Sequence, residues 1–396
     1  MSDDTPPAAD ARTRWGRYGV LATLYFAQGL PFGFFVLAVP VLLRTRGYDL
    51  KSVAGSSLLL LPWGLKFLWA PLVDRYGTKR AWILPMQLVN LAVLAALATR
   101  ATDDLLALAL GMFLVAAASA TQDIATDGLA VALLPESERG TGNGIQVGAY
   151  RIGMVVGGGL IPFVYEGWGP RTAFLLLAGL VGLTTLPVLP LREGPRPVAE
   201  RTAVFDPKIL TPWFSLAALP WLATLFLYKA GDAMATPLVK PMLVDQGWSM
   251  SEIGALTGLA GSSVAALASA VGGPVVGVLS RPRALLAFGL LQAVAQVSFA
   301  WLDPVAVVVV EHFVGTFATI ALFTAMMDRC RRPGREASDY TLQASLVVFF
   351  TGLVGAVGGA LADVLGYAPF FALCGVVSVA GAVLAATRSP DEPRLA

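Results

Sequence analysis

Charge is the scarcest ingredient of this 396-residue chain: Asp, Glu, Lys and Arg together make up only 14% of it, against about a quarter of a soluble domain. That deficit excludes an ordinary soluble globule. Histidine occurs once, at His312, and cysteine twice, at Cys330 and Cys374 in separate late segments. A disulfide framework and a Cys/His zinc spacing are thereby excluded. No H-E-x-x-H, no second histidine and no close Cys/His pair occurs, which removes the familiar metal-hydrolase and thiol constellations. A G-x-x-x-x-G-K-[ST] loop is also missing, so the chain carries no sign of direct drive by ATP. Its start, MSDDTPPAAD, is acidic and proline-containing, lacks an apolar signal-peptide core and reads as a disordered lead-in.

What the chain has in excess is apolar sequence. Hydrophobic residues reach 56% and the mean hydropathy is +0.70, arranged in recurrent runs of about 20 residues, the length that crosses a bilayer. Turn signals of Gly, Pro and clustered charge divide these runs into twelve helical spans near 18–43, 52–73, 81–99, 104–134, 141–165, 172–191, 214–244, 252–279, 284–302, 304–328, 339–362 and 367–387. The expected class is an all-α polytopic membrane protein. The longest break, REGPRPVAERTAVFDPKILT (192–211), is polar and proline-rich and lies near the middle. It predicts a 1–17 segment, a six-helix half at 18–191, a linker, a second six-helix half at 212–387 and a 388–396 tail.

Basic residues set the orientation. With the N-terminus placed in the cytoplasm, nineteen of the 28 Lys and Arg residues fall on cytoplasmic segments and five on outer loops. Both termini are therefore expected inside. The remaining four, Lys66, Arg151, Lys229 and Lys240, lie within spans.

The two halves also resemble each other. LATLYFAQGLPFGFFVLAVPVLL (21–43) aligns with LATLFLYKAGDAMATPLVKPMLV (222–244) without a gap, and Gln146, Gly169 and Phe174 correspond to Gln343, Gly366 and Phe371 at a constant offset of 197. Such weak internal symmetry is the mark of transporters whose halves rock about a site between them. An enzyme has no need of it.

Several motifs sharpen this. Between spans 2 and 3, WAPLVDRYGTKR (69–80) sets Asp74 at a helix end, followed by Arg75, Gly77, Lys79 and Arg80. Asp74 is suited to accept from a neighbouring helix N-terminus, and the cations to reach headgroups or carboxylates. With twelve spans and the halved repeat, this loop resembles the D-R-x-G-x-[KR]-[KR] loop of the major facilitator superfamily, with Ala70 where that motif usually has Gly. The second-half equivalent, GVLSRPRA (277–284), lacks the acid. LPWGLKFLWAPLVDRYGTKR, TQDIATDGLAVALL (121–134), ERGTGNGIQVGAYRIGMVVGGG (138–159) and LYKAGDAMATPL (227–238) together resemble AmpG-type muropeptide permeases. These are related to acetyl-CoA transporters and to short siderophore permeases of the RhtX/FptX type, which this chain matches better in length. The resemblance implies a twelve-helix fold in a bacterial inner membrane and import of a polar anionic solute, a siderophore or a muropeptide. No cofactor beyond a proton gradient is expected, and a monomer with no nucleic-acid partner.

Charges inside apolar spans are costly and mark functional candidates. Asp123 and Asp127, four apart beside Gln122, share one face of span 4 and lie roughly 10–17 Å in from the cytoplasmic end at 1.5 Å per residue. Arg151 on span 5 reaches a similar depth, so a cross-helix pair is expected, either fastening the two helices or binding an anion. Lys229 and Asp232 share a face of span 7, where span 1 has only Gln28 and Pro31, and Tyr228 beside them in sequence is a further site candidate. Lys66, among Trp63, Phe67 and Trp69, either snorkels or points into a cavity. Glu311 and His312 in span 10 are candidates for a proton relay, although a lone histidine is more often an interhelical hydrogen-bonding residue. The Gly148–Gly159 and Gly352–Gly359 runs suit close helix packing. Three central cations (Lys66, Arg151, Lys229) against four acids (Asp123, Asp127, Asp232, Glu311) suit ion pairs that a solute or a proton can break. A membrane-embedded acyltransferase or a non-transporting sensor of the same fold are the alternatives. Neither a nucleophile constellation nor an appended soluble domain is present to support them.

Overall fold

The computed structural model describes residues 8–40, 43, 56–99, 105–191, 193, 211–330 and 332–387. Residues 1–7, most of the 192–211 linker and the 388–396 tail lie outside the described residues. The described residues are helical and contain no strand. Eight stretches among them are long and apolar enough to cross a membrane. One, Glu136–Val188, holds two spans, because Gly169 breaks it with a φ of 82°.

The helices used below are α1 (Ala8–Gly33), α2 (Ala70–Arg75), α3 (Lys79–Thr99), α4 (Leu105–Leu133), α5 (Arg139–Val155), α6 (Ile161–Thr185), α7 (Leu219–Asp245), α8 (Gly261–Val278), α9 (Arg281–Ser298), α10 (Pro304–Arg329), α11 (Glu336–Leu365) and α12 (Tyr367–Thr387). They follow the expected spans with two differences. First, α1 starts at Ala8, so the lead-in is helical from there: after Pro6 and Pro7 the sequence AADARTRW holds no breaker. Second, the stretch before α2 is not one helix. It runs as a 3-10 turn Ser56–Leu60, a short helix Leu61–Leu65 and another 3-10 turn Lys66–Leu68. Pro62, Gly64 and Pro71 account for the breaks, since proline removes a donor and glycine relaxes the backbone.

The chain forms two compact units. One comprises Met1–Trp63, Tyr76–Pro135 and Ala149–Arg196; the other comprises Gly64–Arg75, Glu136–Gly148 and Pro197–Ala396. In the first, α3 packs on α4 and α6, and a core around Phe34, Phe35, Phe174 and Leu177 is closed by Trp63. In the second, α9 packs on α10 and α12, with a core around Met242, Leu243, Phe370 and Phe371. The same neighbours recur in the same order, so the sequence repeat is a repeat of packing. Gly366 turns the chain with φ 75° and ψ 166°, much as Gly169 does with φ 82° and ψ 168°.

Glycine sets the closest approaches. In the first unit an added Cβ on Gly153 or Gly157 would strike backbone of α1 at Phe26 or Leu30. In the second, Gly140 and Gly144 of α5 lie against Gly277, Gly273 and the Ser269 carbonyl of α8. Small residues let helix backbones approach like this in a membrane. Short π-helical turns, Phe34–Ala38 after α1 and Val156–Leu160 after α5, pack on one another.

Candidate functional site

Within the first unit the charges converge on α4 and α5. Asp127 is 2% exposed and its Oδ1 accepts the Tyr25 hydroxyl of α1 at 3.0 Å, in a fully buried contact. Asp123, one turn earlier, is half-buried, as is Arg151 on α5. Asp123, Asp127 and Arg151 all act electrostatically on the buried Tyr150 hydroxyl. Tyr150 packs on Phe32, which in turn meets Trp63. Two acids, one guanidinium and two phenols thus share one neighbourhood with an aromatic wall. A buried charge of this kind costs about 2.5–3.5 kcal/mol at a helix centre on insertion scales. Gln122 is buried between helices, and Gln28 on α1 is 1% exposed with neither carboxamide atom partnered among the described residues.

Within the second unit, Lys229 Nζ lies 2.5 Å from Asp232 Oδ2 and 3.3 Å from Thr319 Oγ1 of α10. Thr236 donates to the other Asp232 oxygen at 3.1 Å. Both members of the pair keep partial exposure, 14% and 20%. Tyr228 turns away from them: its buried hydroxyl donates to the Leu285 carbonyl of α9 at 3.1 Å. Glu311 Oε2 lies 3.1 Å from His312 Nδ1, which also faces the Val308 carbonyl at 2.9 Å. His312 Nε2 sits where a side chain on Gly261 of α8 would be. Lys66 is buried in its 3-10 turn, which packs on α11.

A third group lies at the ends of the helices. Asp74, at the end of α2, accepts the Ala337 and Ser338 N–H groups at 3.1 and 2.7 Å and the Ser338 hydroxyl at 2.6 Å. A carboxylate on the first turn of α11 meets the positive end of the helix dipole and its orphan donors. Gly77 makes the following turn with φ 64°. Arg75 stays exposed, whereas Lys79 is buried. The Lys79 and Arg80 N–H groups donate to Glu193, at 2.9 and 2.6 Å, capping α3.

Several engaged residues are not among the sequence candidates. Asp328, 1% exposed near the end of α10, accepts from Arg139 Nη1 at 2.8 Å and from Arg281 Nε at 2.6 Å. Arg281 belongs to the second-half loop that lacks an acid, and Asp328 supplies one from another helix. Asp339, next to Ser338, accepts from Arg332 Nε at 2.9 Å and from the buried Trp213 indole at 3.1 Å. Trp221 donates to Gln343 at 2.9 Å under the Arg329 guanidinium. The signal for Asp328 is its place: an acid on an apolar span, close to the basic run Arg329–Arg335. Among the described residues no group of three or more His, Cys, Asp or Glu is placed to hold a metal.

Residues 21–356 match the family model described as Major Facilitator Superfamily. The chain is 31% identical over 391 residues to an anhydromuropeptide permease of Escherichia coli (strain K12), covering 93% of this chain and 79% of that protein. It is 23% identical over 379 residues to a putative transporter AmpG 4 of Rickettsia conorii, covering 88% and 90%. Among solved structures it is similar to the human organic anion transporter MFSD10 (TETRAN), with a TM-score of 0.74 at 15% identity over 93% of this chain and 99% of that one. It is also similar to the outward conformation of FucP, with a TM-score of 0.69 at 14% identity over 92% and 97%.

Proposed function

From the premise that the chain belongs to the major facilitator superfamily and to its AmpG-like group, we propose that this membrane permease imports a polar anionic muropeptide-like solute with protons. Transport of a small solute, not catalysis, is what the family performs. The observation that carries the finer reading is the buried acid on α4. Asp127 is sunk in an apolar helix, tied to Tyr25 and placed around Tyr150 with Asp123 and Arg151. Helix–helix packing in a membrane does not require such charges, and intramembrane carboxylates commonly relay protons. Arg151 suits an anion, because its planar fork matches a carboxylate.

The anhydromuropeptide named for the Escherichia coli relative supplies the solute class, with free carboxylates on a sugar–peptide body. Siderophores, the other solute class the sequence suggests, have no counterpart among these relatives. The basic loops favour a cytoplasmic position for both termini in a bacterial inner membrane. On this reading Asp74 and Asp328 fasten the cytoplasmic ends, and alternating access requires both to let go. The deciding experiment is flux of an anhydromuropeptide into proteoliposomes driven by an imposed pH gradient. Accumulation that collapses with a protonophore supports the reading. Equal accumulation with and without the gradient removes proton coupling, and no uptake of the probe removes the solute class.

A further inference from the structure

We propose that Lys229 is the receptor for a carboxylate of the solute and that Asp232 is its resident stand-in, released to take up a proton when the solute arrives. This deepens the transport reading above and rests on it.

The contact between the two charges crosses no helix boundary. Both residues sit on α7, three apart, so their 2.5 Å contact joins one turn of a helix to itself. The helix backbone already does that. By contrast, Asp328 ties α10 to α5 and α9, and Asp127 ties α4 to α1. Packing at this level does not demand charge either, since the repeat-related positions in α1 are Gln28 and Pro31. An ion pair at membrane depth whose own contact joins no two helices points to use.

Their exposure fits that use. Asp328 is 1% exposed and Asp127 2%, whereas Lys229 and Asp232 keep 14% and 20% of their side-chain surface open. A lysine ammonium is a compact point charge with rotatable donors, so it can trade one carboxylate for another with little change of geometry. Thr319 Oγ1, 3.3 Å from Nζ, accepts from the ammonium and donates its own proton to the Gly315 carbonyl at 2.8 Å, so it steadies the ammonium from α10. A solute carboxylate on the Lys229 ammonium would replace the Asp232 contact with an equivalent one.

The exchange balances in charge. An anionic carboxylate enters, Asp232 leaves the ammonium, and one proton from the entry-side water neutralises Asp232. No covalent bond within the solute forms or breaks. The groups around Asp232 suit its neutral form once Lys229 has turned to the solute. The Thr236 hydroxyl lies on its own helix. Gln296 of α9 lies against the α12 residues Ser378 and Cys374 around the adjoining Gly231, and Cys374 feels the Asp232 charge. From α11 the neighbours at this level are Gly355 and Gly358. On α10 the charged and titratable groups are Glu311 and His312, about two turns before Thr319, and Asp328 and Arg329, more than two turns after it. The stoichiometry that follows is one proton for each carboxylate received.

The test uses the full chain in proteoliposomes and two probes, an anhydromuropeptide with its free terminal carboxylate and the same molecule as the carboxamide. The wild type is expected to bind the acid more weakly as pH rises, because ionised Asp232 competes for Lys229, and to bind the amide at least tenfold more weakly than the acid. Asp232→Asn should keep solute exchange but lose gradient-driven accumulation and the pH dependence of affinity. Lys229→Gln should lose at least tenfold in affinity for the acid and little for the amide. The Lys229→Gln, Asp232→Asn double variant, which buries no lone charge, should fold with a wild-type melting profile and lack proton-driven uptake. Proton-driven accumulation at the wild-type level in Asp232→Asn, or wild-type affinity for the acid in Lys229→Gln, overturns the proposal. Absence of any wild-type flux overturns the solute reading beneath it instead.

Discussion

Tyr25 donates its hydroxyl to Asp127 across 3.0 Å between two helices, with both side chains almost fully buried. Tyr25→Phe removes the donor and leaves the carboxylate short of a partner, which costs about 1–3 kcal/mol. Asp127→Asn keeps an acceptor for the phenol and removes only the charge. We expect Tyr25→Phe to lower the melting temperature in detergent and Asp127→Asn to leave it near wild type while uptake falls. If Asp127→Asn transports at the wild-type rate at equal expression, the buried acid has no part in transport.

Asp123→Asn and Arg151→Ala remove the other charges around Tyr150. Both variants should reach the membrane and fail to transport, because α4 and α5 each still pack on α1. Uptake at the wild-type rate in both would make this group a structural one.

The Asp328 cluster should behave as a unit. Asp328→Ala leaves the Arg139 and Arg281 guanidiniums facing each other, and breaking a buried pair from one side costs up to about 3–5 kcal/mol. Either arginine alone can still balance the acid, so Arg139→Ala and Arg281→Ala should cost less. Thermal melts of the three single variants and of Arg139→Ala/Asp328→Ala will show it. The double variant should be less unstable than the sum of its parts.

Cys330 offers a built-in reporter. It lies in the loop after α10, and burial pushes its thiol well above the usual range, with Asp339 and Asp74 adding to the rise. Only a thiolate reacts readily with maleimide. Labelling of the Cys374→Ala protein should therefore be slow at neutral pH, and faster by tenfold or more in Asp74→Ala, where the first turn of α11 loses its acceptor. Equal labelling rates in the two proteins would mean that the Asp74 contacts do not govern opening at this end.

Glycine contacts separate packing from flexibility. At Gly157 an added Cβ would strike the Leu30 carbonyl, while at Gly159 it meets nothing within 4 Å. Gly157→Ala should sharply reduce the yield of folded protein, and Gly159→Ala should not. A thermal melt of each, beside size-exclusion profiles, settles the comparison.

The spans and their pairing were legible in the sequence because membrane length, turn residues and the half-to-half repeat all act locally along the chain. Gly169 and Gly366 even share a backbone geometry that only their matched positions foretold. The broken stretch before α2 was harder to read, since a hydropathy window does not register that Pro62, Gly64 and Pro71 act together. Partners across helices were harder still. An aromatic such as Tyr25 on an apolar face reads as core, and nothing local ties Asp328 to an arginine 189 residues away. The acid missing from the 277–284 loop was the one hint that another residue must meet Arg281. Tyr228, a site candidate next to Lys229 in sequence, donates its hydroxyl to a carbonyl of α9.

Asp74 and Asp328 differ in what holds them, and the difference matters to genetics. Asp328 is gripped by side chains, so a charge swap with Arg139 or Arg281 can in principle restore a lost contact. Asp74 is gripped by the main-chain N–H donors of residues 337 and 338, which no substitution except proline removes. Second-site revertants of an Asp74 lesion are therefore expected elsewhere in the chain, by rebalancing the two end states, while revertants of an Asp328 lesion can arise at its own partners.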